Sequence, residues 1–79
     1  MALDLSAIRA ARERIAGRLH VTPTVTSTRL GDRVKVKLFL KCENLQKTGS
    51  FKARGVLNKL SHLDKGARDR GVITVSAGN

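Results

Sequence analysis

The sequence predicts an α/β fold, and three observations carry that prediction. Apolar residues fall at helical spacing first, at strand spacing across residues 24–42, and at helical spacing again after residue 50. The alternation of Val34, Val36, Leu38, Leu40 and Cys42 with Lys35, Lys37, Phe39 and Lys41 is the cleanest period in the chain. The compact apolar run Val72-Ile73-Thr74-Val75 then enters a loop of small residues. A buried parallel strand leaving at its C-terminal end has this form, and ligands bind there in open α/β sheets. The order helix, strand pair, helix, strand is the opening of such a fold.

Each element follows from local chemistry. Asp4 caps a first helix over residues 5–19, with Leu5, Ile8, Ile15 and Leu19 on one stripe and Ala11 beside it. Arg9 and Glu13 are four apart, at pairing distance on its outer face. Thr22-Pro23-Thr24 ends the helix, because proline lacks a donor and pushes its predecessor to extended geometry. Residues 24–28 are rich in β-branched side chains and read as a short strand; Gly31-Asp32 marks a turn into a strand over 34–42. The two strands form an antiparallel pair, with Cys42 on the buried side as a small hydrophobe. Ser50 caps a second helix over 51–63, whose apolar face is Ala53, Val56, Leu57, Leu60 and Leu63. Gly55 inside that helix costs about 1 kcal/mol relative to alanine, so a close backbone or a flat ligand ring is expected there. Lys65-Gly66 closes the helix, and residues 67–70 make a short turn before the strand at 72–75.

Composition excludes several function classes. With 79 residues the chain holds at most one small domain, and its single cysteine allows no internal disulfide. No apolar run reaches membrane-spanning length, and residues 1–4 lack the basic-then-apolar order of a signal peptide. A cytoplasmic location without membrane partners is therefore expected. The net charge of +10 raises nucleic acid as a partner. That charge is spread, however: residues 1–28 carry +2, residues 29–47 carry +4 and residues 48–79 carry +4. Phe39 and Phe51 are the two aromatics, too few for a base-stacking platform, so no nucleic acid is expected. No histidine, cysteine or carboxylate spacing suits a metal, and no Ser-His-Asp order competes for nucleophilic chemistry. His20 and His62 read as structural.

Chemistry concentrates at Lys52. The polar turn Gln46-Lys47-Thr48-Gly49-Ser50 places this lysine in the first turn of the second helix. Helix N-termini carry partial positive charge, so an ammonium is the wrong group there and a neutral amine the better one. Most lysines at helix starts simply extend into water. A neutral lysine is, equally, what condensation with an aldehyde requires.

Ser50-Phe51-Lys52-Ala53-Arg54-Gly55, preceded by Glu43-Asn44-Leu45-Gln46-Lys47-Thr48-Gly49, resembles the cofactor-lysine signature of the fold-type II pyridoxal-phosphate enzymes. The similarity is to the serine/threonine dehydratase branch, and Ser76-Ala77-Gly78-Asn79 resembles the next motif of that family at a fitting distance. The resemblance covers essentially all of this chain and the first part of a family member. It implies the start of a two-domain, tryptophan synthase β-like fold, with residues 1–64 in the large cofactor-binding domain and residues 65–79 beginning the small one. It implies pyridoxal 5'-phosphate held as an aldimine by Lys52, which is also the base for the substrate α-proton. By the same resemblance Phe51 lies against the cofactor ring and Asn79 bonds its hydroxyl. Ser76, Ala77 and Gly78 receive the substrate carboxylate.

The implied activity is threonine or serine ammonia-lyase, converting L-threonine to 2-oxobutanoate and ammonia, in a full-length protein that is a homo-oligomer. Serine racemases carry a second serine at the position of Ala77, so alanine points to dehydration. The family's histidine after the asparagine, its glycine-rich phosphate loop and its pyridine-nitrogen partner do not occur in these 79 residues. About half of the cofactor-contacting set is therefore present, and the chain alone is expected to be inactive. Racemase, hydroxyaspartate dehydratase and β-replacement activities are the alternatives within the family, and a small basic nucleic-acid-binding module is the alternative outside it.

Overall fold

The computed structural model describes residues 2–78. The order is α1 (Leu5–Ile15), β1 (Thr24–Thr26), α2 (Thr28–Val34), β2 (Phe39–Lys41), a 3₁₀ turn (Glu43–Leu45), α3 (Lys52–Ser61) and α4 (Lys65–Arg70). β1 and β2 pair antiparallel, with Thr24 opposite Lys41, Val25 opposite Leu40 and Thr26 opposite Phe39. Helix α1 packs against α3. The Cα radius of gyration is 16.4 Å, well above the roughly 12 Å expected for a compact domain of this length.

Local signals explain where α1 starts and stops. The Asp4 carboxylate accepts the Ala7 amide at 2.8 Å and the Ser6 hydroxyl at 2.7 Å, satisfying a free donor of the first turn. The helix ends at Ile15, short of the expected residue 19, because Ala16 is extended and Gly17 takes a left-handed conformation (φ +76°). Leu19 therefore leaves the helical stripe and lines a cleft together with Ala53, Val56 and Leu57 of α3. Arg14 crosses to Asn58 on α3, donating at 2.6 Å. Arg9 and Glu13 form no ion pair with one another among the described residues.

The strand expectations are half right. The antiparallel pair is present, but each strand is three residues long. Residues 28–34 are a helix where a strand end and a turn were expected. Ser27 caps it by accepting the Leu30 amide at 3.3 Å, and Lys35 closes it in the left-handed region (φ 57°). Gly31 is buried within this helix because the chain doubles back on it; an added Cβ would stand 2.6 Å from the Val36 carbonyl oxygen. Val34 thus belongs to a helix, and the alternation over 34–42 yields pairing at its last third. Cys42 is half-buried at the edge of the 3₁₀ turn, with a free thiol.

Downstream, α3 ends at Ser61, where the Ser61 hydroxyl and the His62 ring both meet the Asn58 carbonyl at 2.7 Å. Asp64 then caps α4 by accepting the Ala67 amide at 2.7 Å. Lys65 and Gly66 consequently open a new helix; they do not close the old one. Residues 72–75 form no strand, and Ile73 is 99% exposed. No strand among the described residues lies beside this run, so its β-branched preference has nothing to act on.

Candidate active site

The start of α3 is fixed by polar side chains rather than by a hydrophobic core. The 3₁₀ turn Glu43–Leu45 bends the chain after β2, and Gly49 in the left-handed region (φ +75°) delivers it to Ser50. Ser50 stands just outside α3 and accepts the Lys52 amide at 3.3 Å, but the N-cap position expected for it is held by Phe51, which makes no side-chain cap. Phe51 is the residue before the helix and is exposed. Lys52 is the first residue of α3, one position after the expected helix start and within its first turn as the sequence predicts. It lines a cleft of about 430 Å³ whose wall includes Leu19, Ala53, Val56 and Leu57. That volume lies within the usual range for small-molecule sites.

The turn before α3 also carries a network that the sequence reading did not identify. Glu43 takes both a 2.9 Å bond from Arg54 Nε and a 2.8 Å bond from Arg54 Nη2, a fork onto a carboxylate. The Thr22 hydroxyl donates to the same carboxylate at 2.6 Å. Gln46 uses both ends of its amide: Oε1 accepts the His20 and Lys47 amides at 2.9 and 3.0 Å, and Nε2 donates to the His20 carbonyl at 2.9 Å. Lys41 Nζ donates to the Thr22 carbonyl at 2.6 Å. Thr22 and Gln46 are 4% and 5% exposed, whereas Ala53, the one buried hydrophobe among the described residues, is 9% exposed. Glu43 and Arg54 are eleven residues apart, so no helical or strand period links them; folding of the 46–50 turn brings them together.

The Arg54 guanidinium, followed by the Thr22 hydroxyl, holds the Glu43 carboxyl down at about 2, from an ordinary 4.5. A depressed carboxyl contributes stability that is complete above its unfolded value and lost as pH falls through its folded value. We therefore expect Glu43→Gln to be less stable than the parent at neutral pH. In the full-length protein, that difference should shrink from about pH 4.5 and vanish near pH 2, read by denaturant midpoints across that range.

The second motif is placed differently. Ser76, Ala77 and Gly78 are exposed in the extended segment after α4, where Ser76 Oγ accepts the Gly78 amide at 3.1 Å. Gly78 is left-handed (φ +85°), a conformation that glycine adopts without a Cβ clash. Asn79 lies outside the described residues. Gly55 has open space where a Cβ would stand, so no backbone among the described residues accounts for it.

The donor set fits pyridoxal phosphate in part. Lys52 supplies a primary amine for an aldehyde, beside apolar side chains suited to a flat ring. Among the described residues no group of three or more His, Cys, Asp or Glu could hold a metal ion, and no helix is long and apolar enough to cross a membrane.

Comparison with known proteins agrees. The family model described as pyridoxal-phosphate dependent enzyme matches residues 15–79. The chain is 48% identical over 69 residues to the catabolic L-threonine dehydratase of Escherichia coli K12, covering 87% of this chain and 21% of that protein. An L-threo-3-hydroxyaspartate ammonia-lyase from a Pseudomonas species is likewise 48% identical over 69 residues, covering 87% and 22%. The solved structure of maize serine racemase superposes with a TM-score of 0.83 at 45% identity, over 99% of this chain and 24% of that one. The chain thus spans under a quarter of the length of these relatives, whose names carry three different activities. A family match reaching from the end of α1 through the Lys52 turn to the last residue establishes that the chain belongs to the pyridoxal-phosphate-dependent enzyme family.

Proposed function

We propose that this sequence is the opening part of a pyridoxal-phosphate-dependent ammonia-lyase acting on L-threonine or L-serine. Residues 1–64 would belong to its larger domain and residues 65–79 begin its smaller one. The observation that carries the reading is Lys52 as the first residue of α3, lining an apolar-walled cleft. The cofactor, when bound, supplies an electron-withdrawing ring that takes up the charge left by a departing α-proton. Lys52 Nζ would hold the cofactor at its aldehyde carbon, and the same amine, when released, would receive the substrate α-proton. We assign Phe51 to the ring face, Asn79 to the ring hydroxyl, and Ser76, Ala77 and Gly78 to the substrate carboxylate.

Ala77 supports elimination over racemisation, because its methyl group can neither give nor take a proton on the face opposite Lys52. The likeness to serine racemase supports racemisation as a second reading. Product analysis of the full-length protein with cofactor separates them. We expect 2-oxobutanoate and ammonia from L-threonine, and little D-serine from L-serine. D-serine as the main product would install the second reading. Turnover that required a sulfide acceptor would point to β-replacement.

A further inference from the structure

We infer that Glu43, Arg54 and Gln46 are positioning residues for Lys52: they clamp the start of α3 to the connection between α1 and β1. This rests on the assignment of Lys52 above. Three pieces of chain distant in sequence meet at these side chains. Gln46 closes a two-point pairing with the backbone of His20, at 2.9 Å in each direction. Glu43 ties Thr22 of the same connection to Arg54, two residues into α3 from Lys52. The most thoroughly buried side chains described, Thr22 and Gln46, are both polar and both belong to this network; Ala53, the buried hydrophobe, is the neighbour of Lys52. No buried side-chain nitrogen or oxygen among the described residues lacks a hydrogen bond.

The buried part of this network, Thr22 and Gln46, favours one arrangement, since breaking its bonds leaves a polar group without water or partner, while Arg54 reaches Glu43 from a half-exposed position. Here the segment so specified is the turn and helix start that carry the amine. Away from this network large apolar side chains stay substantially exposed, among them Val25, Leu40 and Val34. Order is thus concentrated where an amine must meet an aldehyde carbon at a set distance and angle, and misplacement there costs rate.

The test uses the full-length protein loaded with pyridoxal phosphate. Glu43→Gln and Arg54→Met are compared with the parent well below their thermal midpoints. Two readouts are followed: kcat, and the visible circular dichroism of the bound cofactor, which reports how rigidly it is seated. We expect each variant to lose about 10-fold or more in kcat together with a weakened cofactor dichroism. The double variant should be no worse than the poorer single one, because both break one pair. Variants that melt earlier yet keep parental kcat and dichroism while folded would overturn the proposal and leave the network purely structural. Should Glu43→Gln fail to fold, Thr22→Val, which removes one donor to the same carboxylate, must weaken both readouts in the same direction; unchanged readouts would overturn the proposal equally. Failure of the Lys52 assignment looks different: Lys52→Ala would then retain covalently attached cofactor whatever the clamp variants do.

Discussion

Lys52→Ala in the full-length protein is expected to lose at least about 10³-fold in turnover and all covalent retention of cofactor after borohydride reduction. Two roles end with one side chain: the attachment of the aldehyde and the removal of the α-proton. The second alone is worth roughly 10² to 10⁴ in rate. Loss of folding is a poor rival explanation. Lys52 is exposed on the first turn of α3, and alanine is a better helix former than lysine. Lys52→Arg is the sharper control. It keeps the positive charge and the length, but a guanidinium stays protonated and does not condense with an aldehyde. Both variants should therefore match in retention, as measured by intact mass. Cofactor still attached in either one would move the attachment point to another lysine and remove Lys52 from the site.

Much of this site was legible because it is local. A polar turn, a serine just before the helix and an apolar helical face lie within sixteen residues of Lys52, and each signal acts over a few positions. The family motif reads the same stretch. What the sequence did not disclose depends on chain reversal. Residues 28–34 carry β-branched ends and a Gly-Asp pair that suit a turn between strands, yet the Ser27 cap and the tight approach of Val36 to Gly31 select a helix. A cap worth about 1 kcal/mol is enough to tip so short a segment. Glu43, Arg54, Gln46 and Thr22 were missed as a group for a related reason. Opposite charges eleven residues apart have no period, and a glutamine that pairs with a backbone twenty-six positions away leaves no trace in composition. The expectation for residues 72–75 failed in the opposite sense: the local preference is real, and no neighbouring strand is described to use it.

The isolated 79-residue chain is expected to show no cooperative unfolding transition and no ammonia-lyase activity. Its helices contain 11, 7, 10 and 6 residues, short of the ~12–15 at which even alanine-rich helices become marginal alone. Its sheet is a single pair of three-residue strands with both outer edges unpaired, an arrangement that is at best marginal in water. Packing does not make up the difference. Val21, Ile73 and Val75 are more than nine-tenths exposed, and Ala53, which buries little area, is the one buried hydrophobe described. Ordering the backbone costs about 1–2 kcal/mol per residue, and the polar clamp around Glu43 and Gln46 orders one corner of the chain. Heating followed by far-ultraviolet circular dichroism should give a shallow, sloping loss of helix, and a dye that binds exposed apolar surface should fluoresce without heating. A sharp transition, with coincident loss of helix and no dye binding, would mean that apolar faces exposed here find partners within or between these chains. The same chain joined to the rest of a full-length protein is expected to melt in one cooperative step. Comparing the two melts therefore reads how much of the stability of α1, β1, β2 and α3 comes from surface that these 79 residues do not themselves supply.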